Sequence, residues 1–201
     1  MTDVNNGGLF RNTGVMTKTG GGTATISGGS ITFTNDGTMT LANGSVSATS
    51  LAAFNQNGSV SVANGSVLTI NSGTGSGTAN YAIGATGLLN VTGGTQTLNA
   101  GSTITGPVRV SGGTLTVGGG SLSIDTLELT SGTLNGAGNV NVNGSMAWSG
   151  GAQSGTGNTT IGANATLAIS GAGVKTLAAR TLTNLGNATW TGTGAINVST
   201  G

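Results

Sequence analysis

Cysteine and histidine are absent from this 201-residue chain, proline occurs once, and only 4% of the residues are charged. Each absence closes a class of function. Without cysteine there is no disulfide framework and no thiolate centre. Without either residue, hydrolytic triads built on them are excluded. The whole acid supply is Asp3, Asp36, Asp125 and Glu128, whereas β-helical lyases and glycosidases need paired carboxylates, or a metal with a basic residue, gathered on one face. The expectation is therefore no enzyme, no catalytic, metal or cofactor-binding residue, and no cofactor. Five Lys and Arg leave a net charge of +1; they are scattered, and phosphate neutralisation needs them clustered, so no nucleic-acid partner is expected. No apolar run is long enough to cross a bilayer, which argues against direct membrane insertion. The opening "MTDVNNGGLF" has neither a basic n-region nor an apolar h-region, so an export signal is expected to lie outside these residues.

What is present is 41 glycines together with many Ser, Thr and Asn, and 35% apolar residues distributed evenly as Val, Leu, Ile and Ala. That apolar share argues for a packed chain rather than a disordered one.

The text also repeats itself. "GTMTLANGSV" (37–46), "GSVSVANGSV" (58–67), "GLLNVTGGTQ" (87–96), "GPVRVSGGTL" (106–115) and "DTLELTSGTL" (125–134) superpose without a gap, the mark of a solenoid or array. Their starts are 21, 29, 19 and 19 residues apart, and the long interval holds "NSGTGSGTA" (71–79), which reads as a loop inserted into one copy. One column contains Met39, Val60, Leu89, Val108 and Leu127; another, two residues on, contains Leu41, Val62, Val91, Val110 and Leu129. Between them stand Thr40, Ser61, Asn90, Arg109 and Glu128, the outward side of a period-two strand. Each strand ends at a corner pair (Asn43-Gly44, Asn64-Gly65, Gly93-Gly94, Gly112-Gly113, Ser131-Gly132) able to take left-handed backbone. A further inward column follows: Val46, Val67, Gln96, Leu115 and Leu134.

Asn-Gly between alternating runs also suits an antiparallel hairpin, and a meander is the alternative. It gives no reason for like residues to recur at every turn of about 20 residues, whereas a coil that lays each lap on the last does. The predicted fold is all-β, a single-domain parallel β-helix (β-solenoid) over residues 1–201 with coils of about 19–21 residues, best defined over 37–134. Right-handed winding is expected from the preference of such crossovers.

This register makes local predictions. Arg109 and Glu128 are one coil apart in the outward column and should form a surface ion pair of a few tenths of a kcal/mol. Asp125 beside Glu128 is too poor in ligands for calcium. Asn12, Asn35 and Asn184 share an Asn-x-Gly pattern; they either stack as an amide ladder or simply suit turns. Trp148 and Trp190 alternate with apolar neighbours and are expected to pack, with a sugar-stacking platform as the alternative. Outward "TQT" (95–97) and "TLT" (114–116) stack, but the column continues as Ser45-Val-Ser47, Ser66-Val-Leu68 and Thr133-Leu-Asn135, limiting a regular lattice-binding array to two coils.

Strings such as "LFRNTGVMTKTGGGTATI", "VSGGTLTV", "SGTLNGAGNVNVNGSMAWSGGAQSGTGNTTI" and "LAISGAGVKTLAARTLTNLGNATW" resemble the β-strand repeats of large bacterial surface proteins, autotransporter passengers and filamentous-haemagglutinin-like adhesins. The resemblance covers nearly the whole chain. It implies an extracellular or cell-surface parallel β-helix that serves as a stalk or adhesive shaft, with no catalytic residues to carry over. Partners implied are adjacent solenoid segments of a parent chain, identical subunits stacked end to end, or a host or surface ligand. The alternatives are a self-assembling extracellular fibre and an ice- or carbohydrate-binding solenoid.

Overall fold

The computed structural model describes residues 7–200, and it is a three-faced β-solenoid of about nine turns without a helix. The early laps use β1 (Leu9–Asn12), β2 (Val15–Lys18), β3 (Thr23–Asn35), β4 (Thr38–Leu41), β5 (Ser45–Gln56), β6 (Ser59–Val62), β7 (Val67–Gly77), β8 (Asn80–Ile83), β9 (Leu88–Leu98) and β10 (Thr103–Thr105). The middle laps use β11 (Pro107–Val110), β12 (Thr114–Val117), β13 (Ser121–Leu129), β14 (Thr133–Asn135), β15 (Asn139–Trp148), β16 (Gly151–Ser154) and β17 (Asn158–Ile161). The last strands are β18 (Thr166–Ile169), β19 (Lys175–Ala178), β20 (Thr181–Asn184), β21 (Asn187–Trp190) and β22 (Ile196–Ser199).

Every pairing is parallel and joins a strand to its equivalent one lap away. Face 1 stacks β2, β4, β6, β8 and β10, then the first halves of β13 and β15, then β17 and β20. Face 2 stacks the first halves of β3, β5, β7 and β9, then β11, the second halves of β13 and β15, β18 and β21. Face 3 stacks β1, the second halves of β3, β5, β7 and β9, then β12, β14, β16, β19 and β22. Lap length is 23 residues from Asn12 to Asn35, 21 from Asn35 to Gln56 and 19 from Arg109 to Glu128.

Period-two alternation turns every second residue of each strand inward, and these residues stack lap on lap into files that are mostly aliphatic. Leu68, Leu89, Val108, Leu127, Met146 and Leu167 form one file on face 2, all buried. On face 3 the rings of Phe33 and Phe54 are stacked, with centroids 5.1 Å apart, and Phe10 meets Phe33 edge to face at 5.2 Å. Burial of these files removes apolar surface from water at every lap, while each strand's backbone groups are satisfied by the laps on either side.

The repeat alignment needs one correction. Val60 does not stand under Leu89: it lies on face 1 between Met39 and Tyr81, while Leu89 lies on face 2 above Leu68. The offset of 29 residues is one lap (81 − 60 = 21) plus one face (89 − 81 = 8). A short alternating strand followed by a glycine corner recurs at every face, so a sequence comparison slips from one face to the next without penalty. The files survive on both sides of the slip, and with them the shaft. For the same reason Leu68, not Val67, points inward, and Ser66 is buried at a corner.

Residues 71–79 are not an inserted loop. β7 runs to Gly77 and β8 begins at Asn80. The alternation is invisible in the sequence because the inward positions on this stretch are Gly75 and Gly77. A Cβ at Gly75 would lie 2.1 Å from the Phe54 carbonyl oxygen of one neighbouring lap and 2.4 Å from Gln96 Oε1 of the other, which leaves no room for a side chain there.

The corners also differ from expectation. Gly44, Gly65 and Gly94 do have positive φ. Gly112, Gly113 and Gly132 do not; they are glycine because the lap below is too close, a Cβ at Gly132 lying 2.4 Å from the Gly113 carbonyl oxygen.

Candidate functional surfaces

The charged side chains are dispersed and internally occupied. Arg109 and Glu128 are register partners on β11 and β13, and Arg109 Nε donates to Glu128 Oε2; the predicted cross-lap pair is present. Asp36 accepts from Arg11 Nε and, at 2.7 Å, from Asn57 Nδ2. The Asn57 amide first, then Arg11, holds its carboxyl below the ordinary 3.8. Asp125 Oδ2 accepts the Gly106 N–H at 3.1 Å. Among the described residues no three of Asp, Glu, His and Cys gather as metal ligands. Asp3 lies outside the described residues.

Two of the three asparagines form a ladder. Asn12 Nδ2 donates to Asn35 Oδ1 at 2.7 Å, and Asn35 Nδ2 donates to Gln56 Oε1 at 2.9 Å. Asn184 stands apart at the end of β20 and donates to the Gly186 carbonyl at 2.9 Å. Trp148 is fully buried, while Trp190 is 57% exposed at the last lap.

Sequence reasoning missed Arg180. Its side chain is buried at the corner between β19 and β20 and hangs across the two laps below. Nε donates to Thr159 Oγ1 (2.8 Å); Nη1 to the carbonyls of Gly136 (3.1 Å) and Ser154 (3.3 Å); Nη2 to those of Gly138 (3.0 Å) and Asn158 (3.2 Å). The guanidinium fork matches corner carbonyls stacked lap over lap, a geometry an ammonium cannot reproduce. Burial away from water pushes its pKa down to about 10, so it stays charged at neutral pH. Lys175 is also fully buried, its Nζ donating to Gly173 O at 3.0 Å. Neither residue carries a sequence signal, because nothing in a glycine-rich corner announces a row of carbonyls that a buried cation can reach.

No family model, curated protein or solved structure matches this chain.

Face 1 presents two outward columns. One carries Thr38, Ser59, Asn80 and Thr103, then Ser121 and Asn139, then Asn158 and Thr181; the other carries Thr40, Ser61, Ala82 and Thr105, then Ser123, Asn141, Thr160 and Thr183. Neither column holds a charged side chain. On face 3 the Thr-x-Thr pairs Thr95/Thr97 and Thr114/Thr116 stack over two laps as expected, and Thr74/Ser76 and Thr133/Asn135 continue the column in register on either side. Ser45/Ser47 belong to face 2 instead.

Proposed function

We propose that the chain is a structural repeat segment of an extracellular bacterial adhesin or autotransporter passenger, acting as a rigid stalk for surface display. The observation that carries the reading is the continuous stack of laps around a largely aliphatic core, together with charged side chains that are paired with each other or bonded to the chain's own backbone. Such a stack gains rigidity from length, because each lap touches only its neighbours and adds the same increment. At about 4.8 Å per lap, nine laps make a rod on the order of 40 Å long. The resemblance of its repeats to bacterial surface proteins supports placing that rod outside the cell. Protease shaving of intact producing cells tests the reading: release of fragments of this segment into the medium is expected, and complete protection until lysis would contradict it.

The two uncharged columns of face 1 favour a second reading, binding of a regular hydroxylated surface such as ice or crystalline carbohydrate. Small hydroxyl and amide groups at a fixed lap spacing present hydrogen-bond partners with little side-chain freedom to lose. Co-sedimentation with insoluble polysaccharide, and thermal hysteresis of ice growth, test it. Replacing Thr40, Ser61 and Thr105 with Lys would abolish either signal; signals that survive the substitution would exclude this face.

A further inference from the structure

The corners that follow β4 and β6 carry the same run of residues. Ala42-Asn43-Gly44-Ser45-Val46 and Ala63-Asn64-Gly65-Ser66-Val67 stand one lap apart, and both glycines take left-handed backbone, with φ 77° and 74°. What the neighbouring laps do to the two corners differs. At the second, Thr86 of the next lap holds the pair with two bonds: its N–H donates to Asn64 Oδ1 at 3.1 Å, and its carbonyl accepts the Gly65 N–H at 3.2 Å. At the first, Asn43 is exposed, and neither its side-chain amide nor the Gly44 N–H has a hydrogen-bond partner among the described residues. This corner is flanked by laps on both sides, Leu41 standing in register between Lys18 and Val62.

The other Asn-Gly pairs of the described residues are restrained as well. Asn57 Nδ2 donates to Asp36 Oδ1 at 2.7 Å, and the Gly58 N–H to the Asn35 carbonyl at 3.0 Å. Asn135 Oδ1 accepts from Ser154 Oγ at 3.2 Å. Asn143 and Gly144 lie within β15, with Val142 and Ser145 in register against the laps on either side.

Glycine has no Cβ to shield its nitrogen, so in Asn-Gly that nitrogen readily reaches the side chain before it. We propose that Asn43 is a site of spontaneous deamidation and that the fold protects its repeat, Asn64. The Gly44 nitrogen gives up its proton and attacks Asn43 Cγ. The new C–N bond closes a succinimide ring, the Cγ–Nδ2 bond breaks, and Nδ2 leaves with that proton as ammonia. Water then opens the ring at one of its two carbonyls, giving aspartate, or isoaspartate where the chain now runs through Cγ. The corner between β4 and β5 gains a carboxylate, and in isoaspartate a backbone methylene as well. At Asn64 the same closure requires the corner first to come away from Thr86, and that local opening slows it.

Because the two sites share their flanking residues, their intrinsic reactivity is the same and each molecule carries its own control. The protein is incubated in mildly alkaline buffer, folded or unfolded in urea, and the conversion of amide to acid at each site is followed by peptide mapping in a mass spectrometer. In the folded protein Asn43 should convert about tenfold faster than Asn64; in urea the two should convert at equal rates. Equal rates in the folded protein, faster conversion of Asn64, a folded protein in which Asn43 stays intact while it converts in urea, or the same ratio in urea as in buffer would overturn the proposal. None of these outcomes bears on the stalk reading, which concerns the stack of laps.

Discussion

At the scale of single residues, the shaft distinguishes sharply between side chains that point in and side chains that point out. Val110 is fully buried in its file; Val110→Asp places an unpaired charge among aliphatic neighbours and is expected to unfold the middle laps. Arg109, one position away, is part-exposed in a surface pair, so Arg109→Ala should cost under about 1 kcal/mol, with less effect at high salt. Thermal melts of the two variants check the contrast, and the reverse order would refute the inward assignment. Arg180 behaves as a core residue in spite of its charge. Arg180→Ala would remove all five hydrogen bonds that its guanidinium makes to Thr159 Oγ1 and to the carbonyls of Gly136, Gly138, Ser154 and Asn158, an expected loss of about 2 to 4 kcal/mol. Arg180→Lys should stay well below wild type because three donors on one nitrogen cannot bridge the same laps. Guanidinium unfolding curves measure both; a silent Arg180→Ala would remove the clamp from this account.

At the scale of elements, strands and corners were legible to different degrees. Alternation disclosed the strands wherever the inward residue was aliphatic, as in "GPVRV" and "TLELT", and it failed where that residue was Gly75 or Gly77. The Arg109–Glu128 pair followed from spacing alone, since residues one lap apart must be neighbours, whereas the Asn-x-Gly pattern left open whether Asn12 and Asn35 bond to each other or only suit turns. Arg180 was not legible, because its partners are backbone groups with no side-chain signature. Corner glycines looked uniform in the sequence and proved to serve two needs, positive φ at Gly44 and close lap contact at Gly132. The second need is testable. Gly132→Ala forces a Cβ against the Gly113 carbonyl and should lower the melting temperature clearly, whereas Gly119, with nothing within 4 Å of an added Cβ and no positive φ, should accept Ala with little change or a slight gain. Equal effects would show that lap spacing does not select glycine there.

At the scale of the whole molecule, the period of about 20 residues revealed the winding but not which face each strand occupies. Nothing in the composition of one face sets it apart from the next, so the alignment that joined Val60 to Leu89 looked as sound as the true one. The central claim is that each lap lies in register on the lap below, and the absence of native cysteine makes it directly measurable. Ser61 and Ala82 face outward as register partners on β6 and β8, within reach of a disulfide, whereas Ser61 and Asn90 stand on different faces. Oxidation of the Ser61→Cys/Ala82→Cys protein should close a bond within the single copy rapidly and quantitatively, and Ser61→Cys/Asn90→Cys should remain reduced. Bond formation by the Asn90 pair and not by the Ala82 pair would contradict the winding described here.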